Sequence, residues 1–589
     1  MIPQQFDHIF QTKLSSWVQF RAGYTGVFSS REIDILGQTD RAFESAGRTI
    51  VLCAFENQYA SLGGLSVVTR YLPKFLRESG ERIVFMTPFH ENHPSIRAAV
   101  KAGHFATRAS VGFECGGDTR QAVCFQDTTA AIPSFYLSVP GQFVAEEDPY
   151  HYSDQLHLLL DSLSFCAAVP QVCAGLGLTK NILFHGHDWE TAPIALTSKL
   201  AILSGTLASA KTVLTLHNSY DSPLPRRVMH RFFGKFTSAQ TVLQEFIPLL
   251  NGPLSTVSTP FAHELRNDPL QRGYFTDHLL GVFSRNAPIG IENGVFGDMA
   301  PLFATKPTDE DVMRKKEQWR TEFYDVLTSY RDAKIIGNLE FSGKKDRVPV
   351  FFMSGRLDSM QKGFDAVFAA FQRLRPGSAK LLFSPNVGAP DQGRGNDLDF
   401  FIEAAQRSRG DITIWPLRIP QKEYGVILRG ASYLLMPSFY EPFGAATEGL
   451  ACGTPVIARA TGGLWIQVEP VDQVHVPQFY GSLLSHLSSL STRRPTGILF
   501  RERYPESLSE ENWVGIFGLP LSKRTTSPLY EAIVEAAHVA MERAISLFHD
   551  QPTYASMIVN GQASLGSFDW KAAVAKYRKV YDTAGRSVV

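Results

Sequence analysis

MPSFYEPFGAATEGLACGTPVIARATGGL, Met436–Leu464, is the stretch from which the fold can be read. Tyr433–Met436 reads as a buried strand, a turn holding Glu441 follows, and Gly444–Ala451 reads as a helix. Val456–Ala458 is a second strand, and it runs into Thr461-Gly462-Gly463. Strand–helix–strand alternation predicts a parallel sheet covered by helices. Glycines placed after a strand let backbone N–H groups approach an oxyanion, and a helix start beyond them adds partial positive charge. Taken singly, Gly444, Gly453 and Gly462 are turn residues.

The same rhythm extends outward in both directions. Upstream, Val348–Met353 is a strand, Phe364–Leu374 a helix, Leu381–Phe383 and Ile412–Trp415 strands, and Tyr424–Arg429 helical. A separate series occupies the first half: strand Thr49–Phe55, a helical face of Leu65, Val68, Leu72 and Phe75, then strands Ile83–Thr87, Ile182–Phe184 and Val213–Leu216. Two series predict an α/β chain of two Rossmann-like, doubly wound domains facing a central cleft, with ligand at the carboxyl ends of the strands. The expected division is an N-terminal extension over 1–48, a first domain over 49–345 and a second over 346–565. Thr308–Ser342, polar with helical character, is the approach to the linker. The polar, Pro-rich stretch 467–527 reads as an insertion over one edge. In the closing segment 566–589, Trp570, Val574, Tyr577 and Tyr581 follow the rhythm of an amphipathic helix.

Composition narrows the function. With 44% hydrophobic and 19% charged residues, the 589-residue chain can bury large cores. Lys plus Arg equals Asp plus Glu at 57 each, so no bulk charge draws it to nucleic acid or to an anionic membrane, and any anion must meet a local site. No uninterrupted apolar stretch approaches the roughly 18 residues of a membrane span. Met1–Phe20 lacks the basic, apolar, small-residue order of a signal peptide. Six cysteines without a Cys-x-x-Cys pair read as buried free thiols. The expectation is a cytoplasmic protein, with a homo-oligomer left open. Arg226, Arg227, Arg231 and Lys235 read as a solvated basic face.

Three further segments carry chemistry. In FFMSGRLDSMQKGFD, Phe351–Asp365, Arg356 and Lys362 follow a strand, where two fixed cations suit a diphosphate leaving group. In FHGHDWETA, Phe184–Ala192, a strand delivers His185 and His187 to its carboxyl end. Strand period is poor at converging more than two ligands, so no metal is expected there. With Met436–Leu464, these segments resemble the donor-binding motifs of GT-B glycosyltransferases, and in particular the glycogen and starch synthases. Ser61-Leu62-Gly63-Gly64-Leu65 is similar to that family's Lys-x-Gly-Gly-Leu loop, and Tyr152-Ser153-Asp154 to its acidic residue near the acceptor. TLHN (Thr215–Asn218), TVSTPFAHEL (Thr256–Leu265), IENGV (Ile291–Val295) and the Phe-x-Trp at Phe568 match further segments in order.

The resemblance implies a retaining hexosyltransferase that moves glucose from UDP- or ADP-glucose to a glucan acceptor, with no cofactor beyond the nucleotide-sugar substrate and no metal. It assigns the reaction centre to His187, Glu441, Arg356, Lys362 and Asp154. Donor contacts fall to Gly63, Gly64, Asn218, Gly444, Glu448, Thr461, Gly462 and Gly463. It further implies that the closing helix packs back across the hinge. Three departures stand out: Ser61 replaces the family's lysine, five residues separate Arg356 from Lys362, and six separate Glu441 from Glu448. The longer Arg–Lys spacing looks more like animal and fungal glycogen synthases, which use UDP-glucose. Two other readings stay open: a GT-B transferase acting on a small-molecule, lipid or protein acceptor, and a catalytically idle glucan-binding regulator.

Overall fold

The computed structural model describes residues 2–146, 149–150, 152, 154–235, 239–296, 300–303, 306–341, 347–386, 397–490, 494–504 and 509–589. The chain forms two compact units. The first comprises Asp7–Arg266, Phe275–Gly294 and Trp570–Val589; the second comprises Met1–Phe6, Asn267–Tyr274 and Val295–Asp569.

The first unit is built on nine strands: β1 (Thr49–Cys53), β2 (Arg82–Pro88), β3 (Phe105–Cys115), β4 (Asp118–Asp127), β5 (Ser134–Ser138), β6 (Ile182–His187), β7 (Ala210–Leu216), β8 (Ser255–Thr256) and β9 (Ile289–Gly290). Their order is β3-β4-β5-β2-β1-β6-β7-β8-β9, parallel from β5 through β9 and antiparallel across β3-β4-β5. Every residue of β6 and β7 is buried, as expected of parallel strands with helices on both faces. Helix Gly64–Glu78 buries Leu65, Val68, Leu72 and Leu76, so Leu76 takes the inward position expected for Phe75. Helix Gln155–Gly175 is long and apolar enough to cross a membrane; Leu159, Leu163 and Phe165 on it are buried in the core of this unit.

The segment read as an extension is structural. Tyr24, Phe28 and Leu36 join Val51 and Leu214 in the hydrophobic core. Ser29 caps helix Ser30–Arg41 through a capping box with Glu32. Near the end of that helix, Asp40 pairs with the fully buried Lys211 of β7 at 2.9 Å and accepts from the backbone N–H of Val589 at 3.1 Å. Helix Trp570–Arg586 buries Tyr577 and Tyr581, and the Tyr581 hydroxyl lies 2.9 Å from His185 Nδ1.

The second unit carries β10 (Ile336–Gly337), β11 (Val350–Arg356), β12 (Lys380–Asn386), β13 (Ile412–Ile414), β14 (Tyr433–Met436), β15 (Val456–Arg459) and β16 (Gly497–Phe500), ordered β10-β13-β12-β11-β14-β15-β16. All neighbours are parallel except β10 with β13. Two expectations change here. The division falls after Gly294, not after residue 345, because helix Asp309–Ser329 belongs to this unit. Its buried Lys316 ammonium donates to the carbonyls of Arg429 (2.7 Å) and Gly453 (2.9 Å) and to Thr454 Oγ1 (2.9 Å). The stretch 467–527 is not an appendage: it supplies β16, whose four residues pair with β15 in parallel register. Ser342 and residues 505–508 lie outside the described residues.

Asp40→Ala would leave the Lys211 ammonium buried without its counter-charge. We expect a loss of about 3–5 kcal/mol, typical of breaking one side of a buried pair. It should appear as a lower urea midpoint for the unfolding of the first unit. An unchanged midpoint would show that residues 7–41 do not support the core.

Candidate active site

In the second unit, β11, β14 and β15 lie side by side, and the predicted site residues sit at their carboxyl ends. β11 ends at Arg356, and the loop beyond it returns through Lys362 to helix Phe364–Phe371. The turn needs a glycine at Gly363, where φ is +59° and a Cβ would meet the Pro437 carbonyl at 2.5 Å. From this loop the Lys362 ammonium donates to Glu441 Oε2 at 2.7 Å, and Ser438 Oγ donates to the same oxygen at 2.8 Å. Arg356 Nη2 donates to Gln361 Oε1 at 2.8 Å, and the Gln361 carbonyl accepts from the Phe439 N–H at 2.8 Å. Lys362 and Glu441 are thus brought together, while Arg356 reaches the Glu441 turn through Gln361.

The glycine turn beyond β15 packs on the same loop. The Gly463 N–H donates to the Glu441 carbonyl at 3.0 Å, and a Cβ on Gly463 would stand 2.2 Å from the Phe443 carbonyl oxygen. Only glycine allows that approach. Thr461 and Gly462 lead directly into helix Leu464–Gln467, their carbonyls accepting from Leu464 and Trp465. Gln467 then pins the other turn, its side chain accepting from the Ala446 N–H at 3.2 Å and donating to the Gly444 carbonyl at 3.1 Å. The helix expected from Gly444 begins at Ala446, because Gly444 sits at φ +95°. Glu448, on that helix, finds no hydrogen-bond donor among the described residues, and burial pushes its carboxyl up to about 7. Under this layer, Arg459 holds Glu502 and donates to the Phe439 carbonyl at 2.6 Å. Burial alone would raise the Glu502 carboxyl, but the guanidinium groups of Arg459 and Arg501 draw it down to about 2.

In the first unit, β6 delivers His185 and His187. His187 Nδ1 lies 2.7 Å from His217 Nε2, while His187 Nε2 is buried and meets no protein partner among the described residues. Burial holds His185 and His217 down to about 3, with His217 adding to the effect on His185. Burial together with the His185 and His217 imidazoles holds His187 well below its usual range. Three neutral imidazoles therefore line this strand end. Asp188, at φ +62°, accepts from the His217 N–H at 2.5 Å; burial, then the neighbouring Glu56 carboxylate, pushes it up to about 8.

The remaining predicted residues have local roles. Asp154 is the N-cap of helix Gln155–Gly175, accepting from the Leu156 N–H at 2.9 Å, and its side chain is exposed. Ser153 and His151 lie outside the described residues. Asn218 accepts from the Tyr220 N–H at 2.8 Å. Gly63 and Gly64 open helix Gly64–Glu78, and the N–H groups there already hold a carboxylate. Glu56 Oε2 accepts from Leu62 and Gly63 at 3.0 Å each and from Ser66 at 3.3 Å, and the Tyr150 hydroxyl donates to Glu56 Oε1 at 3.3 Å. Glu56 and His217 escaped the sequence reading. The first was visible as a carboxylate just after a strand and just before a Gly-Gly pair, the second within TLHN itself. Among the described residues, no group of three or more His, Cys, Asp or Glu is arranged to hold a metal ion.

Residues 49–248 match the family described as starch synthase catalytic domain, and residues 338–478 match glycosyl transferases group 1. The chain is 24% identical over 553 residues to a glycogen synthase of Geotalea daltonii, covering 89% of this chain and 96% of the relative. It is 26% identical over 433 residues to a glycogen synthase of Thermus thermophilus, covering 70% and 84% respectively. Among solved structures, the catalytic domain of starch synthase IV from Arabidopsis thaliana, bound to ADP and acarbose, shares the fold. The TM-score is 0.67 at 18% identity, over 91% of this chain and 99% of that one.

Glu448 yields a pH-dependent prediction. Its folded carboxyl titrates near 7, above its unfolded value, so the folded protein binds the extra proton between about pH 4.5 and 7 and loses stability as pH rises through that window. Glu448→Gln, which carries no charge, should raise Tm relative to the parent at pH 8 and leave it unchanged near pH 4. An equal Tm difference at both pH values would mean that Glu448 is not held neutral by burial.

Proposed function

We propose that this chain, similar to the glycogen and starch synthases, is a hexosyltransferase of the GT-B fold that transfers glucose from UDP- or ADP-glucose to the non-reducing end of an α-1,4-glucan. The observation that carries this reading is the Lys362–Glu441 pair at 2.7 Å, held beside the Gly463 turn at the ends of adjacent parallel strands. An ammonium, a carboxylate and a glycine turn in that order suit the two halves of a nucleotide sugar. Arg356 and Lys362 meet the diphosphate, whose charge grows as the glycosidic bond breaks. The Thr461–Gly462 part of the turn approaches the same oxygens while the Gly463 N–H stays on the Glu441 carbonyl, Glu441 accepts from the sugar hydroxyls, and Glu448 serves the ribose. In the starch synthase IV structure the bound nucleotide is ADP.

His187 acts on the transferred sugar. Its Nε2 is buried and meets no protein partner among the described residues, and the neutral ring stabilises positive charge at the anomeric carbon better than an imidazolium would. Transfer proceeds with retention: the bond from anomeric carbon to phosphate oxygen breaks as the acceptor hydroxyl attacks from the same face. The departing phosphate takes the acceptor's proton. Two side-chain cations serve the diphosphate in this scheme, and no cofactor enters it.

One observation favours a second reading. The Gly63–Gly64 loop has Ser61 in place of the family's lysine, and its N–H groups are engaged by Glu56. A changed loop suits another nucleotide sugar or a small-molecule, lipid or protein acceptor. A radiolabelled panel of UDP- and ADP-sugars with glycogen as acceptor separates the two. Incorporation from one glucose donor supports the first; transfer only to other acceptors supports the second; binding without turnover defeats both. Arg356→Ala and Lys362→Ala should each lower kcat about 100-fold or more, as for loss of one transition-state charge contact. Near-parental turnover in both variants would remove the diphosphate assignment. Chelation with EDTA should leave the rate unchanged.

A further inference from the structure

The loop bearing Arg356 and Lys362 is gripped from behind by a side chain that belongs to neither strand. Arg524 lies on the short 3-10 turn Leu521–Thr526, inside the stretch that the sequence presents as a polar insertion. It is 2% exposed. Its Nη1 donates to the Ser359 carbonyl at 2.9 Å and to Asp365 Oδ2 at 3.1 Å. Ser359 precedes Lys362 in the loop, and Asp365 follows it in the first turn of helix Phe364–Phe371. One guanidinium therefore closes the loop on both sides of the lysine. Asp365 is buried as deeply as Arg524, so each charge depends on the other for its counter-ion.

The same stretch also supports the opposite wall. Trp513 and Phe517, on helix Ser509–Gly518, set their rings 5.5 and 6.0 Å from that of Phe439. Phe439 is the residue whose N–H meets Gln361, the partner of Arg356. A single segment thus bears on the Arg356–Lys362 loop through charge and on the Glu441 turn through ring packing.

We propose that Arg524 is a positioning residue for donor binding: through the Ser359 carbonyl and the Asp365 carboxylate it holds the Arg356–Gly363 loop in the shape that presents Arg356 and Lys362 to a diphosphate. This rests on the assignment of those two side chains as diphosphate contacts. The physical reason is preorganisation. A loop that must be ordered when ligand arrives loses affinity by the entropy of ordering it, whereas one already clamped does not. Lysine cannot replace the clamp fully, because a point charge on a flexible stem lacks the rigid guanidinium plane that aims Nη1 at both acceptors.

The test uses the full chain, its Arg524→Met and Arg524→Lys variants, and an Asp365→Asn variant that cuts the clamp from the other side. UDP and ADP binding is measured by calorimetry, steady-state kinetics with donor and acceptor varied separately, and amide hydrogen exchange over residues 357–363. Arg524→Met should weaken diphosphate binding about 10-fold and raise donor KM by a similar factor, leaving acceptor KM unchanged, with partial recovery in Arg524→Lys. Exchange in the loop should quicken in every variant. A folded variant with parental diphosphate affinity and parental loop exchange overturns the proposal. If Arg524→Met does not fold, Arg524→Lys and Asp365→Asn decide by the same measurements. If the parent chain binds neither UDP nor ADP, the diphosphate assignment fails instead, and loop exchange still reports whether Arg524 holds the loop.

Discussion

Parallel register among three adjacent strands is the constraint on which the second unit's site depends. Phe352 of β11 pairs with Leu434 of β14, and Leu434 with Val456 of β15, so the three strands run out at one level. Parallel neighbours need a crossover between them, and each crossover here starts with the loop that carries site residues. Arg356 and Lys362, Ser438 and Glu441, and Thr461–Gly463 come from distant parts of the chain, yet they leave one sheet edge together. A slip of one residue in β14 would turn its side chains to the other face and take the Glu441 turn out of reach of Lys362.

Within that geometry, charge is balanced locally. Glu441 accepts from Lys362 and Ser438, Glu502 sits between Arg459 and Arg501, and Asp365 faces Arg524. Glu448 is different: it is half-buried with no donor in reach among the described residues, so a ligand hydroxyl arriving there would relieve a cost the folded chain already bears. The first unit handles charge by a different route. His185, His187 and His217 are neutral because water is excluded, and burial, with the Glu56 carboxylate adding to it, raises Asp188.

How much of this was legible follows from the range of the interactions involved. Met436–Leu464 could be read because strand, turn and helix succeed one another locally, and its strands appear where expected, with β15 reaching Arg459. β8 and β9 have two residues each, too few to show a period, and were seen only through the resemblance of the segments around them. Helix Ser30–Arg41 looked like part of an extension, since it buries only Leu36, Gly37 and Asp40, and Lys211, the partner of Asp40, is remote in sequence. β16 was hidden in a Pro-rich stretch because its four residues, GILF between polar segments, are too few to show a period until they pair with β15. Arg524 escaped for the same reason: a lone arginine in a polar stretch reveals nothing until Asp365 is placed beside it.

The first unit's glycine loop shows how one replacement can redistribute a function. N–H groups at the start of helix Gly64–Glu78 attract an anion, and here Glu56 is that anion, accepting from Leu62, Gly63 and Ser66. A carboxylate fixed there cancels much of the potential that the loop would otherwise offer a phosphate, and Ser61 brings no cation to restore it. On the proposed reading, the donor's charge then falls almost wholly to Arg356 and Lys362. Two cations doing that work must already be in place when the donor arrives. A buried guanidinium behind the loop meets that requirement, which is why an arginine remote from the chemistry has a bearing on it.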